Sequence, residues 1–439
     1  MRLLSSPRTF TSRRRRAPAA ASYSTLSSGH YGHRNTTSIR IPQSLTSTAI
    51  ISSRNVYRQY ATSSDTGSFL PDKLAPRSIV PLLHRRLVQL SGPDASKFLQ
   101  GLVTNNVDPD REDAFYSTLL DARGRVLWDV FIWPRKDDTN AWGCYIDVDA
   151  AEVGALVRHL KRHKLRSKFD IRVIDENESS VWAGWCDTQP ETPLFGPNTE
   201  GLLGSVEDPR ARGFGYRLLF RGSCTYNFGG QPDTKPGWLC HDEQYHLRRY
   251  LYGIPEGQKE VQRESALPME SNIDLSQGID FKKGCYVGQE LTIRTKHTGV
   301  VRKRILPVQL YREGDPVPED GELAKYNPTW TGKVESGADI KQLDEEGSIK
   351  KGRAAGKFIA SIGNVGLALC RLEMMTPIRV SAEGGTYRPG VEFGVLEGGG
   401  EQSSEKPVRI KAIVPSWLRE REREMWDKGR SKGVEQVES

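Results

Sequence analysis

DFKKGCYVGQE (residues 280–290) sets one cysteine, Cys285, between two lysines and a turn bounded by glycines. The following GQELTIRTKH (288–297) has the make-up of a short helix. Gly284 and Gly288 let the backbone turn tightly or approach a partner closely. Cys285 then falls just ahead of the positive end of a helix, where the dipole together with Lys282 and Lys283 favours the thiolate, the reactive and metal-binding form. The bland alternative is a small apolar filler, since free cysteine is among the most buried residue types. Tyr286 reads as a ring packed beneath the loop. Gln289 and Glu290 read as solvated residues of a first helical turn. Nucleophile, metal ligand and core filling all remain open from these residues alone.

Outward from this stretch the pattern is α+β with largely antiparallel sheets. RRLVQLSG (85–92) reads as a strand and PDASKFLQGLVTN (93–105) as a helix opened by Pro93. AFYSTLL (114–120) and RVLWDVFIW (125–133) form a hairpin about DARG (121–124), where Asp121 and Arg123 shape the turn. WGCYIDV (142–148) is a strand, and Asp149 with Glu152 predicts a capping box for the helix that follows, with Val153, Leu156, Val157 and Leu160 inward. KFDIRVID, VWAGW and GFGYRLLF add strands, whereas 186–213 reads as an exposed loop. DEQYHLRRYLY (242–252) is a helix stopped by Gly253. Further on, strands paired about Gly363-Asn364 and a hairpin about Gly384-Gly385 suggest a small closed β-domain. The expected parts are a leader at 1–60, a linker at 61–79, a main region at 80–305, a C-terminal β-barrel at 306–415 with a polar insertion at 312–352, and a solvated, charged tail at 416–439.

Charge excludes one class of function. The 439 residues carry a formal +8, but the first 64 hold ten arginines and no acid, which leaves −2 for the rest. A basic nucleic-acid groove therefore loses its support. The Ser-, Thr- and Arg-rich beginning has the composition of a mitochondrial transit peptide, and VYRQYATSS (56–64) places a cut between Tyr60 and Ala61. No run is long and apolar enough to span a membrane, so the mature protein is expected in the matrix. Cys144, Cys186, Cys224, Cys240, Cys285 and Cys370 form no C-x-x-C pair, against a closed zinc site or disulfide framework. Cys240, His241 and His246 match no standard metal spacing, and they read as ordinary helix-surface residues.

The octapeptide KGCYVGQE (283–290) resembles the signature of the folate-binding, aminomethyltransferase-like proteins that assist iron–sulfur cluster assembly. LSGPDASKFLQGLVTNNV, LLDARGRVLWDVFIW, GIPEG and GRAAGKFIASIGNVGLALCRLE resemble the corresponding segments of that family, in order. The resemblance implies a fold like the glycine-cleavage T-protein: two α+β subdomains around a central cavity, then a β-barrel. It implies maturation of [4Fe-4S] proteins with A-type scaffold partners, and no enzymatic turnover. Cys285 would be the family cysteine, a ligand of a transient [2Fe-2S] cluster shared with the partner, within the motif Lys283, Gly284, Tyr286, Gly288, Gln289 and Glu290. Tetrahydrofolate would occupy the cavity.

Two other readings make distinct demands. A true folate-dependent aminomethyltransferase of glycine cleavage would use the same fold without needing the thiol. A Cys–His hydrolase would need His297 within reach of Cys285.

Overall fold

In the computed structural model the described residues are 71–136, 141–188, 194–195, 199–222, 241–319, 321–378, 380, 385–399 and 407–427. The leader at 1–60, Cys224, Cys240 and Gly384 lie outside them. Nine strands come first: Arg77–Pro81 (β1), Arg85–Ser91 (β2), Phe115–Leu120 (β3), Val126–Lys136 (β4), Trp142–Asp149 (β5), Asp170–Val173 (β6), Ser179–Cys186 (β7), Leu202–Glu207 (β8) and Tyr216–Arg221 (β9). They make a five-stranded sheet in the order β3-β4-β5-β2-β6 and a four-stranded sheet in the order β1-β7-β9-β8. Lys303–Tyr311 (β10), Asp339–Gln342 (β11), Gly356–Ile362 (β12), Val365–Arg371 (β13), Phe393–Val395 (β14) and Val408–Ala412 (β15) close a barrel in the order β10-β13-β12-β11-β14-β15. Every pairing between these strands is antiparallel, as hairpin-rich sequence requires.

Ala95–Gln100 (α1) and Val153–Lys164 (α2) cover one face of the five-stranded sheet, burying Leu99, Leu156 and Leu160 with Val88, Val130 and Ile146. The first helix is shorter than its sequence suggests: Asp94 is its N-cap, and Leu102 and Val103 fall in the turn beyond it. Only half of the capping box forms. Asp149 accepts from the Ala151 N–H, while Glu152 turns away to accept from Trp128 Nε1 and Arg263. Asp242–Tyr252 (α3) ends as the αL glycine at Gly253 dictates, and packs on the barrel.

Four sequence expectations need correction. The stretch 61–79 is not all linker, because β1 begins at Arg77 and pairs with β7. The loop at 186–213 contains β8, an edge strand whose side chains alternate between shelter and solvent. The polar insertion contributes β11 to the barrel wall, and it buries Ile340 and Trp330. The C-terminal segment is no solvated tail over its described part. Ser416–Glu422 (α5) and the π-turn Arg423–Asp427 bury Trp417, Leu418 and Trp426 against the body. Burial of such side chains is worth about 1.5–3 kcal/mol each.

Candidate functional site

Gln289–Thr298 (α4) carries the octapeptide at its N-terminal end. Three pieces of the chain fix that end in place. The β3–β4 turn is tied off by Asp121, whose Oδ1 accepts from the Arg123 and Arg125 N–H groups, as the sequence predicts. Gly288 lies against this turn with φ +79, and a Cβ there would meet Asp121 O at 2.3 Å. Gly124, in the turn, has the reciprocal restriction: its Cβ would meet Leu291 Cβ at 2.8 Å. Two backbones therefore touch where only glycines allow it.

The second piece is the segment after α1. Val287 N–H donates to Gly101 O at 3.1 Å, and Asp280 N–H to Thr104 O at 3.1 Å. The Lys283 ammonium donates to Gln100 O, Val103 O and Asn105 O at 2.8, 2.6 and 2.9 Å. Burial brings its pKa down to about 8, against a weaker upward pull from Asp280. Sequence reasoning placed this lysine beside the thiol; the structure turns it inward, where it fastens the loop. The third piece is apolar. Tyr286 is buried with Leu120, Val126 and Val261, as expected for a ring beneath the loop, and burial pushes its hydroxyl up to about 12.

Between these anchored residues Gly284 and Cys285 are exposed. Cys144, Cys186 and Cys370 are buried, so Cys285 is the one exposed cysteine among the described residues. Burial drives the Cys144 and Cys370 thiols far up, which removes them as ligands or nucleophiles. Gln289 is not merely solvated: its Oε1 accepts from the Tyr286 N–H at 3.2 Å and closes the turn over the helix start. Glu290 is exposed, as expected. His297 sits in the last turn of α4. Eight residues of helix, roughly 12 Å of rise, separate it from Gln289, so it cannot serve as a base for Cys285.

A second feature was missed in the sequence. Arg85, Arg210 and Arg217 are fully buried with Asp129, Asp147, Asp208 and Glu256. Arg85 donates to Asp147 at 2.6 Å and Asp129 at 3.1 Å, Arg217 to Asp147 at 2.8 Å, and Arg210 to Glu256 at 2.6 Å. This network joins β2, β4 and β5 of one sheet to β9 of the other. Its signal was an acid inside an apolar strand, Asp129 in VLWDVFIW and Asp147 in WGCYIDV, since such an acid must find a cation. Elsewhere between the two sheets a cleft of about 640 Å³ remains, lined by Trp133, Arg135, Tyr145, Arg172, Gly204 and Arg221 among others. The buried Trp133 Nε1 has no hydrogen-bond partner, and the Arg135 guanidinium lies 4.8 Å from the centre of the Tyr145 ring.

Similar proteins agree with this anatomy. A family model described as the CAF17 C-terminal beta-barrel domain matches residues 302–420. The mitochondrial iron–sulfur cluster assembly factor IBA57 homolog of Phaeosphaeria nodorum is 45% identical over 380 residues, covering 85% of this chain and 86% of that one. Its counterpart from Neurospora crassa is 46% identical over 362 residues, covering 78% and 81%. Among solved structures, the glycine cleavage system aminomethyltransferase T of Bartonella henselae superposes with a TM-score of 0.52 at 12% identity, over 78% of this chain and 86% of that one. That likeness shows the aminomethyltransferase fold.

Proposed function

The chain belongs to the IBA57 family of mitochondrial iron–sulfur cluster assembly factors, and from that premise we propose that Cys285 is the residue through which it handles a cluster. The single observation that carries this reading is the exposed Cys285 on a loop fastened on either side by Lys283 and Tyr286. The thiol loses its proton to solvent and binds iron as thiolate. A lone cysteine cannot enclose a cluster that needs four ligands. The remaining thiolates therefore come from a partner, an A-type scaffold, and the shared [2Fe-2S] cluster lies at the interface. Separation of the two proteins or exchange of Cys285 for another ligand passes the cluster on toward [4Fe-4S] clients in the matrix. In this reading the protein turns over no substrate. Among the described residues no helix is long and apolar enough to cross a membrane.

The cleft between the sheets fits a reduced folate. A pterin ring is flat and rich in acceptors. Trp133 offers an unpartnered indole N–H, and Arg135 and Arg221 suit an anionic glutamate tail, whereas Arg172 is already paired with Glu178 and the acids Glu112 and Asp113 share the lining. Tetrahydrofolate held there would fill the space between the two sheets without reaching into the fastened motif loop.

The test mixes the mature protein, or its Cys285→Ala variant, anaerobically with an A-type scaffold carrying [2Fe-2S]. A visible chromophore of the complex that appears with the native protein alone supports ligation. A complex whose spectrum is the same with either protein would remove the thiol from the cluster. The glycine-cleavage alternative has its own readout, folate-dependent ammonia release from an aminomethylated lipoyl carrier. Robust turnover there would favour the enzyme.

A further inference from the structure

Helix α2 and the turn after it hold six cations, Arg158, Lys161, Arg162, Lys164, Arg166 and Lys168, with no acid between Glu152 and Asp170. Five of them are exposed, and Lys164 is half-buried with its ammonium 5.1 Å from the centre of the Phe169 ring. Leu156 and Leu160 face the sheet, so Arg158 and Arg162, one turn apart, share the outer face of the helix. Like charges at that spacing repel. None of the six has an acid within ion-pair distance among the described residues. The negative end of the helix dipole favours cations in the last turn, which accounts for Lys161, Arg162 and Lys164. It does not account for Arg158, more than a turn from the end, or for the residue type at 165.

Leu165 ends α2 with φ 45, a backbone conformation that favours glycine, and its side chain is 88% exposed. The turn around it is pinned. Lys168 N–H donates to Asp94 Oδ2 at 2.7 Å, Asp94 N–H to Lys168 O at 3.3 Å, and Ser167 N–H to Lys164 O at 2.9 Å. Phe169 is buried against Phe98, with ring centres 4.6 Å apart. A fixed apolar side chain therefore stands in water at the apex of a held turn, among Lys164, Arg166 and Lys168. Glycine would relieve the backbone and a polar residue the exposure, so neither folding nor solubility calls for leucine there. Residues 65–439 are −2 overall with these cations included, so the rest of that stretch is acidic. Such a lopsided charge turns this face toward a negative surface.

We propose that the outer face of α2 and the Leu165 turn dock on an anionic phospholipid surface, with Leu165 inserted at the boundary of headgroups and acyl chains and the arginines and lysines against lipid phosphates. A lipid surface takes up both features, the apolar wedge and the ring of cations. A nucleic-acid backbone would meet the cations and leave the leucine in water. The sheet sets this turn far from the motif. β4 runs from Val126, packed on Tyr286, to Lys136, paired with Trp142. At that second end Gly143 pairs with Ser91, and Gly92 lies against Phe169. The eleven residues of β4 span about 30 Å. A bilayer seated on Leu165 thus leaves the Cys285 loop clear for a soluble partner. The attachment is peripheral and reversible, since one leucine and a few cations fall far short of a spanning helix. It makes no use of Cys285, so its failure would leave the cluster reading untouched.

The experiment floats the mature protein, without the ten leader arginines that would bind the same lipids, on vesicles of phosphatidylcholine alone or with phosphatidylglycerol added. Binding to the anionic vesicles only, weakened as added salt screens the charges, is expected. The double variant Arg158→Gln/Arg162→Gln and the single variant Leu165→Gly should each weaken it about tenfold or more. Leu165→Gly also relieves the positive φ, so its melting temperature should hold or rise while binding falls. Lys161→Gln/Lys168→Gln repeats the charge test if the arginine pair folds poorly. Cys285→Ala should bind the vesicles as the native protein does. Equal binding to neutral vesicles or undiminished anionic binding in the folded variants would overturn the proposal. So would binding to polyglutamate or a duplex oligonucleotide as tight as that to vesicles and indifferent to Leu165→Gly.

Discussion

Lys283 Nζ lies 2.6 Å from the Val103 carbonyl oxygen, across 180 residues of sequence, and this contact helps hold the motif loop to the segment that follows α1. Lysine has three donors, and Gln100 O and Asn105 O take the other two. The folded pKa of about 8 is below the ordinary 10.5. The unfolded chain thus binds the proton more tightly, so below pH 8 the charged, half-buried amine costs stability in full. That cost is relieved as pH rises from 8 to 10.5. Partial exposure screens the effect to about 1–2 kcal/mol. Urea unfolding of the native chain and of Lys283→Met at pH 7, 8.5 and 10 should show the native chain gaining on the variant with pH. A constant difference would sink the argument.

The motif's glycines differ in what they do. Gly288→Ala places a Cβ 2.3 Å from Asp121 O at a φ of +79, so the hairpin and helix must part. A loss above about 2 kcal/mol is expected, combining strain with lost contact. Gly284→Ala meets nothing within 4 Å and has no positive φ, and its stability should stay within about 1 kcal/mol of native. If Gly284→Ala nevertheless impairs complex formation with the scaffold, the space beside Cys285 belongs to the partner. Paired denaturation curves and pull-downs decide both points, and equal stability of the two variants would refute the distinction.

Much of this was legible because apolar runs bounded by turns read as strands even where both faces are covered. In β2, Leu87, Val88 and Leu90 are buried while Arg86 and Gln89 are partly exposed, so the run shows as a strand by its composition and its bounds and not by strict alternation. β8 escaped notice because LLGSVE, an edge strand in a stretch rich in Gly and Pro, sets an apolar Leu203 on the exposed side, so that burial alternates while residue type does not. β11 is four residues long with Ile340 its buried anchor, too little for any period to show. The Arg/Glu run of the C-terminus masked the three large side chains it carries inward. The motif loop shows a deeper limit. Gly284, Cys285 and Gly288 are found by sequence, but the direction of Lys283 is set by carbonyls 178 to 183 residues away, and local pattern holds no trace of them.

Asp274 gathers the barrel, the body and the C-terminal segment at one carboxylate. Arg304, on β10, donates to both of its oxygens at 2.9 Å, and Trp426 Nε1 to Oδ2 at 3.2 Å. Both charged groups are fully buried, so Asp274→Ala would strand a guanidinium, at a cost of about 3–5 kcal/mol. Trp426→Phe keeps most of the burial and loses one hydrogen bond to a charged group, about 1.5–3 kcal/mol. A chain ending at residue 415 loses more, because Trp417, Leu418 and Trp426 all leave the core. It also frees Lys296 of α4, whose ammonium donates to Met425 O at 2.7 Å and lies 4.5 Å from the Trp426 ring centre. Amide exchange should then quicken along α4, beginning at its C-terminal turn, while α1 stays protected. Thermal melts rank the three changes, and exchange in α4 that is indifferent to the truncation would show that the segment braces the barrel without bracing the motif helix.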